Sequence, residues 1–120
     1  MTYEQRKEQV KSYLGKTVTI KIDRPIGSVH PKHIDMVYPI NYGYIPGVIG
    51  GDGEELDVYI LGVSEPATEF TGRVVGIIHR ENDVEDKLVA APDCMVFSQV
   101  EIAKAVHFQE QYYKTRIEML

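Results

Sequence analysis

Residues 23–53 hold four of the chain's six prolines and six of its ten glycines. Proline lacks the amide hydrogen that a helix or a central strand needs, and glycine loses the most backbone freedom on ordering. This stretch is therefore loop and short strand, not helix. The neighbouring sequence keeps the same character. Thr17–Ile22 alternates, with Val18, Ile20 and Ile22 on one face, as a half-buried strand does. Three further runs rich in Val, Ile and Leu follow at close spacing, roughly Leu56–Val63, Arg73–His79 and Lys87–Ala91.

Helical signals are confined to the two ends. Thr2, with Gln5 three residues on, caps a short helix over 3–14, and Gly15 suits the position just past its end. Ser98 and Glu101 form a second capping box. Ile102, Ala105, Val106, Tyr113 and Ile117 then recur at helical spacing, which predicts one long C-terminal helix. Short strands followed by a helix give a mainly β (α+β) fold: a small, mostly antiparallel barrel with a helix packed against it.

At 120 residues the chain reads as a single domain over 1–120, long enough to bury a core without disulfides or a structural metal. A hydrophobic share of 43% argues against disorder. Thirteen basic residues against eighteen acidic ones leave a net charge of −5, which counts against nucleic acid as the main partner. The single cysteine, Cys94, excludes an intramolecular disulfide or a CxxC site, and beside Met95 and Val96 it is expected to be a small buried hydrophobe. No apolar run approaches ~18 residues, and the opening Met1–Lys7 lacks the apolar stretch of a signal peptide. The expectation is a cytoplasmic protein with no membrane partner.

The acidic residues are uneven. Asp52, Glu54, Glu55 and Asp57 form one cluster, and Glu81, Asp83, Glu85 and Asp86 another, so eight of eighteen acids fall in twelve residues. Both clusters abut strands. Antiparallel pairing of 56–63 with 73–79 would bring both, with Lys87, to one rim on strands ~4.8 Å apart. So many carboxylates repel without a counterion, and a hard divalent cation such as Mg²⁺ relieves that. The alternative is two solvated turns, since Gly51-Asp52-Gly53 is good turn chemistry. An EF-hand is excluded by its ligand spacing, and Gly50-Gly51-Asp52-Gly53 is no P-loop.

Tyrosines are uneven too. Three of eight lie in Tyr38–Tyr44, and Tyr112 and Tyr113 are adjacent. Phenols donate to phosphate oxygens without adding charge, or else line a core edge with their hydroxyls wet. Among the histidines no paired metal spacing appears. His107 reads as packed or solvated, and His79 and Arg80 as ion-pair partners at the acidic rim.

Tyr38-Pro39-Ile40-Asn41-Tyr42-Gly43-Tyr44-Ile45-Pro46-Gly47, then Gly51–Val58, then Lys87–Pro92 together resemble the soluble family I inorganic pyrophosphatases. The spacing fits from about Tyr38 to Pro92, and His107–Lys114 is similar to the family's C-terminal helix. The family signature, Asp-x-Asp-(Pro/Glu)-x-Asp and a small aliphatic residue, agrees at six of seven positions, with Glu54 replacing the middle Asp. The resemblance implies an OB-like five-stranded barrel. It also implies hydrolysis of pyrophosphate, or a related phosphoanhydride, to two phosphates by metal-activated water. Several Mg²⁺ ions per site are implied, with Mn²⁺ the alternative.

By the same resemblance Asp52 and Glu54 are catalytic, and Asp52, Asp57 and the acids Asp83, Glu85 and Asp86 are metal ligands. Counting back from Lys87 puts Glu85 at a metal position, while Asp86 has the matching residue type. Tyr38, Tyr42, Lys87, Tyr112 and Lys114 are substrate-binding. The family's Arg before Tyr-Pro falls near His30, and its N-terminal Lys and Glu have no clear counterpart among Lys21, Arg24 and Lys32. A homo-oligomer is implied. The competing readings are a catalytically weak or inactive module of the same barrel that binds metal and phosphate or a nucleotide, and an OB-like oligonucleotide binder, which the acidic charge opposes.

Overall fold

The computed structural model describes all residues, Met1–Leu120. Its elements are α1 (Tyr3–Lys11), β1 (Thr17–Arg24), β2 (Val29–His30), β3 (His33–Val37), β4 (Asn41–Ile49), β5 (Glu55–Ile60), β6 (Glu69–Arg80), β7 (Asp86–Ala91), α2 (Gln99–Glu110) and β8 (Thr115–Met119). Strands run in the order β1-β4-β5-β7-β6-β8, and β1 also pairs with β6. That extra pairing closes five strands into a barrel, with β8 added outside on β6. The 12-residue β6 makes this possible, because residues 69–73 pair with β1 while residues 73–79 pair with β7.

Period-two alternation sorts side chains between two cores. Val18, Ile20, Ile22, Val58, Ile60, Leu88 and Ala90 meet inside the barrel. Tyr59, Leu61, Ile78, Val89 and Ala91 face outward, under Ile102 and Val106 of α2. The whole of β7 is buried: from Leu88 to Ala91 one face looks into the barrel and the other lies under the helix, hence that apolar run, while Asp86 and Lys87 at its start are ion-paired. Truncating Ile102, fully buried between helix and sheet, should cost about 2–5 kcal/mol. Both capping boxes form as the sequence predicts, Thr2 with Gln5 and Ser98 with Glu101.

Three expectations need correction. The C-terminal helix ends at Glu110, and residues 115–119 form a strand on the edge of β6. Asn82 Oδ1 accepts from Lys114 N–H and Lys114 C=O accepts from Glu81 N–H, which draws the chain to the sheet. Edge pairing and the β-branched Thr115 and Ile117 thus override the helical recurrence of Tyr113 and Ile117.

Second, β5 does not pair with β6. β7 lies between them, parallel to β5 and antiparallel to β6. The start of β5, the start of β7 and the end of β6 still share one rim, so the acidic clusters converge by a different route. Third, Cys94 is exposed. Val96 near it is 89% exposed, so apolar neighbours in sequence did not signal burial. No helix is long and apolar enough to cross a membrane.

Candidate active site

The shared rim opens into a cavity of about 330 Å³ lined by Arg24, Lys32, Tyr42, Asp57, Arg80, Glu85, Lys87 and Tyr112, among others. At its floor Lys87, 3% exposed, donates to Asp57 Oδ2 at 2.7 Å and also to Glu85 Oε2. Tyr42 O–H donates to the same Asp57 oxygen at 2.9 Å. Burial opposes the Lys87 charge, but Tyr42, Asp57 and Glu85 together hold the ammonium well above its ordinary pKa. Burial likewise raises the Tyr42 phenol, so it stays a donor.

A second, small cavity of about 10 Å³ adjoins the floor, with Asp52, Asp57, Glu85, Asp86 and Lys87 around it. Asp52 is pushed up by burial and by its hydrogen bond to Glu85. Burial would raise Glu85 too, but Lys87, the Asp52 hydrogen bond and Arg80 outweigh it and take it down to about 2. Two neighbouring carboxyls that perturb one another form a site that a hard cation would relieve. Asp52, Asp57 and Glu85 offer only oxygen donors, which is the donor chemistry Mg²⁺ prefers. No three such groups converge on one point as they stand, because the Lys87 ammonium occupies the space between Asp57 and Glu85. The residues fit a divalent cation in donor type and charge, with Lys87 holding its place.

The other site residues expected from the sequence take varied positions. Asp83 Oδ2 accepts from Arg80 at 3.1 Å, while its Oδ1 caps its own turn at Val84 N–H. Asp86, with a fully buried side chain, is held by Arg6 and Lys7 at 2.9 Å each, so its charge is already answered from within. The Glu54 side chain is exposed and lines neither cavity, while its N–H donates to Asp52 Oδ1. Tyr112 stands at the mouth, 67% exposed. Lys114 is exposed and does not line the cavity, its backbone being tied to residues 81 and 82.

Behind the cavity runs a hydrogen-bond chain that sequence reasoning missed. Arg24 Nη1 donates to Tyr38 O–H at 2.8 Å, and that hydroxyl donates to Gln109 Oε1 at 2.8 Å. Gln109 Nε2 donates to Tyr59 O–H, which donates to Glu110 Oε2 at 2.5 Å. Glu110 in turn grips Arg80 through both carboxylate oxygens, at 2.9 and 2.7 Å. Arg80 also lies over the Tyr113 ring, 3.7 Å from its centroid. The last two residues of α2 thus fix guanidinium groups on two walls of one cavity. The available signal was polar Gln109 and Glu110 continuing the buried stripe of Ile102 and Val106. On the far wall, the tip of the β2–β3 hairpin adds His30, Lys32 and His33.

A sequence model described as inorganic pyrophosphatase matches residues 3–118. Among curated proteins, the chain is 35% identical over 109 residues to an inorganic pyrophosphatase of Saccharolobus solfataricus, covering 78% of this chain and 60% of that one. It is 31% identical over 91 residues to one from Xylella fastidiosa, covering 70% and 51%. The chain therefore spans about half to three-fifths of the length of these relatives. Its fold is similar to that of an inorganic pyrophosphatase from Ehrlichia chaffeensis, with TM-score 0.67, 22% identity and coverage of 88% and 87%. One from Neisseria gonorrhoeae superposes with TM-score 0.60 at 26% identity, covering 82% and 74%. A barrel of this topology with an acidic rim, matched over nearly its whole length, belongs to the inorganic pyrophosphatase family.

Proposed function

We propose that this chain hydrolyses inorganic pyrophosphate to two phosphates with a divalent cation, Mg²⁺ or alternatively Mn²⁺. The observation that carries this reading is the juxtaposition, across two adjoining cavities that share Asp57, Glu85 and Lys87, of an oxygen-only acid set with fixed cations on the facing walls. Asp52, Asp57 and Glu85 would hold the metal. When bound there, a divalent cation supplies Lewis acidity toward phosphate oxygens and acidifies water.

The chain's own groups supply the rest. Lys87 and Tyr42, both kept protonated, donate to one phosphate from the floor, and Arg24 and Lys32 offer charge to the other from the wall. Fixed donors aimed at the oxygens where charge develops stabilise the transition state more than the ground state. Water attacks one phosphorus, the bridging oxygen leaves with the second phosphate, and the water proton passes to a carboxylate. Asp52 is assigned that carboxylate, because it faces the small cavity and its backbone turn is fixed by Glu54 N–H.

Tyr38 acts through Arg24, and Tyr112 at the mouth is a substrate contact on entry. A homo-oligomer in the cytoplasm belongs to the same proposal. The test is phosphate release from pyrophosphate against metal concentration. Release that requires the metal and disappears in Asp57→Asn supports the reading, and metal binding without any release contradicts it.

A further inference from the structure

We infer that Arg6 is the positioning residue that joins the two acidic loops and so sets their affinity for the metal. The inference rests on the reading above that Asp52, Asp57 and Glu85 hold a cation. Arg6 lies on α1, far from these loops in sequence, and is 7% exposed. Its Nε and Nη2 grip Asp86 at 2.9 and 3.3 Å. Nη1 donates to the Asp83 carbonyl at 2.8 Å and Nη2 to the Arg80 carbonyl at 3.1 Å. One guanidinium thus closes residues 80–86 into a fixed loop through three of its own acceptor groups.

The same side chain is the floor of the other loop. A Cβ placed on Gly51 would run into the Arg6 stem and lie 2.5 Å from the Val84 carbonyl. Gly51 is therefore the point where the 50–54 loop meets the 80–86 loop, with Arg6 beneath both. One turn along α1, Gln9 Nε2 donates to the Ile49 carbonyl at 2.7 Å, so the helix clamps both loops at once. Only arginine has the forked donors to do this, since a lysine offers a point charge that cannot span three acceptors. Lys7 provides an internal comparison. It shares Asp86, at 2.9 Å, but makes no hydrogen bond to either loop's backbone.

The experiment compares Arg6→Met, Arg6→Lys and Lys7→Met by Mg²⁺ titration calorimetry, thermal melting and amide hydrogen exchange. Losing the hydrogen-bond partner of a ligand typically weakens metal affinity about 10–100-fold, and Arg6 lies one step further out, on the loops that carry the ligands. Arg6→Met is therefore expected near the low end, about tenfold, and Arg6→Lys at about fivefold, while Lys7→Met stays within about twofold. Exchange should speed up in both loops, 50–54 and 80–86, for Arg6→Met and not for Lys7→Met. If Arg6→Met does not fold, Arg6→Lys decides: weakened metal affinity at a near-wild-type melting temperature supports the assignment. Equal metal affinities in all three variants, or faster exchange confined to α1, would overturn it. A wild type that binds no Mg²⁺ would bring down the proposed function instead, and loop exchange would still decide the role of Arg6.

Discussion

Lys87 occupies the space that a metal would share with Asp57 and Glu85, so its removal should separate stability from metal affinity. Lys87→Met keeps the stem beside Tyr42 and deletes the ammonium. Breaking a fully buried ion pair by removing one partner costs about 3–5 kcal/mol. Here the lysine is 3% exposed but the side chains of Asp57 and Glu85 are 29% and 30% exposed. Water can relieve both carboxylates in part, and Arg80 at 3.4 Å still faces Glu85, so the loss should be about 2–3 kcal/mol. For a chain of this length each kcal/mol moves the melting temperature about 4 °C, which gives a drop of about 8–12 °C in chelator.

Asp57 then has no internal counterion and Glu85 keeps only Arg80 at 3.4 Å, so the two should bind Mg²⁺ more tightly. A cation at about 100 times Kd adds roughly 2.7 kcal/mol to the folded state. The gap between variant and wild type should therefore shrink in saturating Mg²⁺, against a monovalent-salt control. Turnover should nonetheless fall, because the phosphate loses its charged donor on the floor. Melting curves with and without Mg²⁺ read the first effect, and phosphate release reads the second. A gap of equal size in chelator and in Mg²⁺, with unchanged metal affinity, would refute the idea that Lys87 competes for this place.

Further outcomes are expected at neighbouring groups. Asp52→Asn should lower kcat by about 10²–10⁴, the range for a lost general base, while Glu54→Gln, with its side chain in solvent, should cost less than about tenfold. Equal losses would return the base to Glu54. Metal affinity should fall as pH falls into the acid range, and at a higher pH than for an ordinary aspartate, because burial and Glu85 hold Asp52 up while a bound cation favours its charged form. Mg²⁺ titration at a series of acidic pH values would contradict this by showing an affinity that does not change. Glu85 has the opposite sign. Its folded pKa of about 2 lies below the unfolded value, so its contribution to stability is full above about pH 4.5 and is lost as pH falls toward 2. Acid melting of Glu85→Gln should lack that part of the decline. Gly51→Ala should weaken Mg²⁺ binding, because its methyl group would push against the Val84 backbone.

The sequence was most informative where chemistry is written in local composition. Alternation in Thr17–Ile22, both capping boxes and the two acid-rich turns were legible because each depends on residues adjacent in the chain. The convergence of those turns was also legible, although by a mistaken pairing, since any arrangement that places the starts of β5 and β7 at one rim achieves it. What failed was non-local. Residues 115–119 became a strand because β6 offered an open edge, which no helical period reports. Arg80 does pair with the acidic rim, at Asp83 and Glu85, as its position suggested, but its grip on Glu110 and the hold of Arg6 on Asp86 were hidden because those partners lie 30 and 80 residues away. Asp52 and Glu54 are two residues apart, yet only Asp52 is turned toward the cavity, a distinction set by the turn around Gly53 with its φ of 82°.

Hydrolysis is tested most directly by phosphorus NMR of pyrophosphate incubated with the wild-type chain and Mg²⁺, beside the Asp57→Asn variant. The pyrophosphate resonance should be replaced by orthophosphate, two per molecule consumed, with wild type and metal only. A persistent pyrophosphate resonance in wild-type protein shown to have Mg²⁺ bound would contradict it.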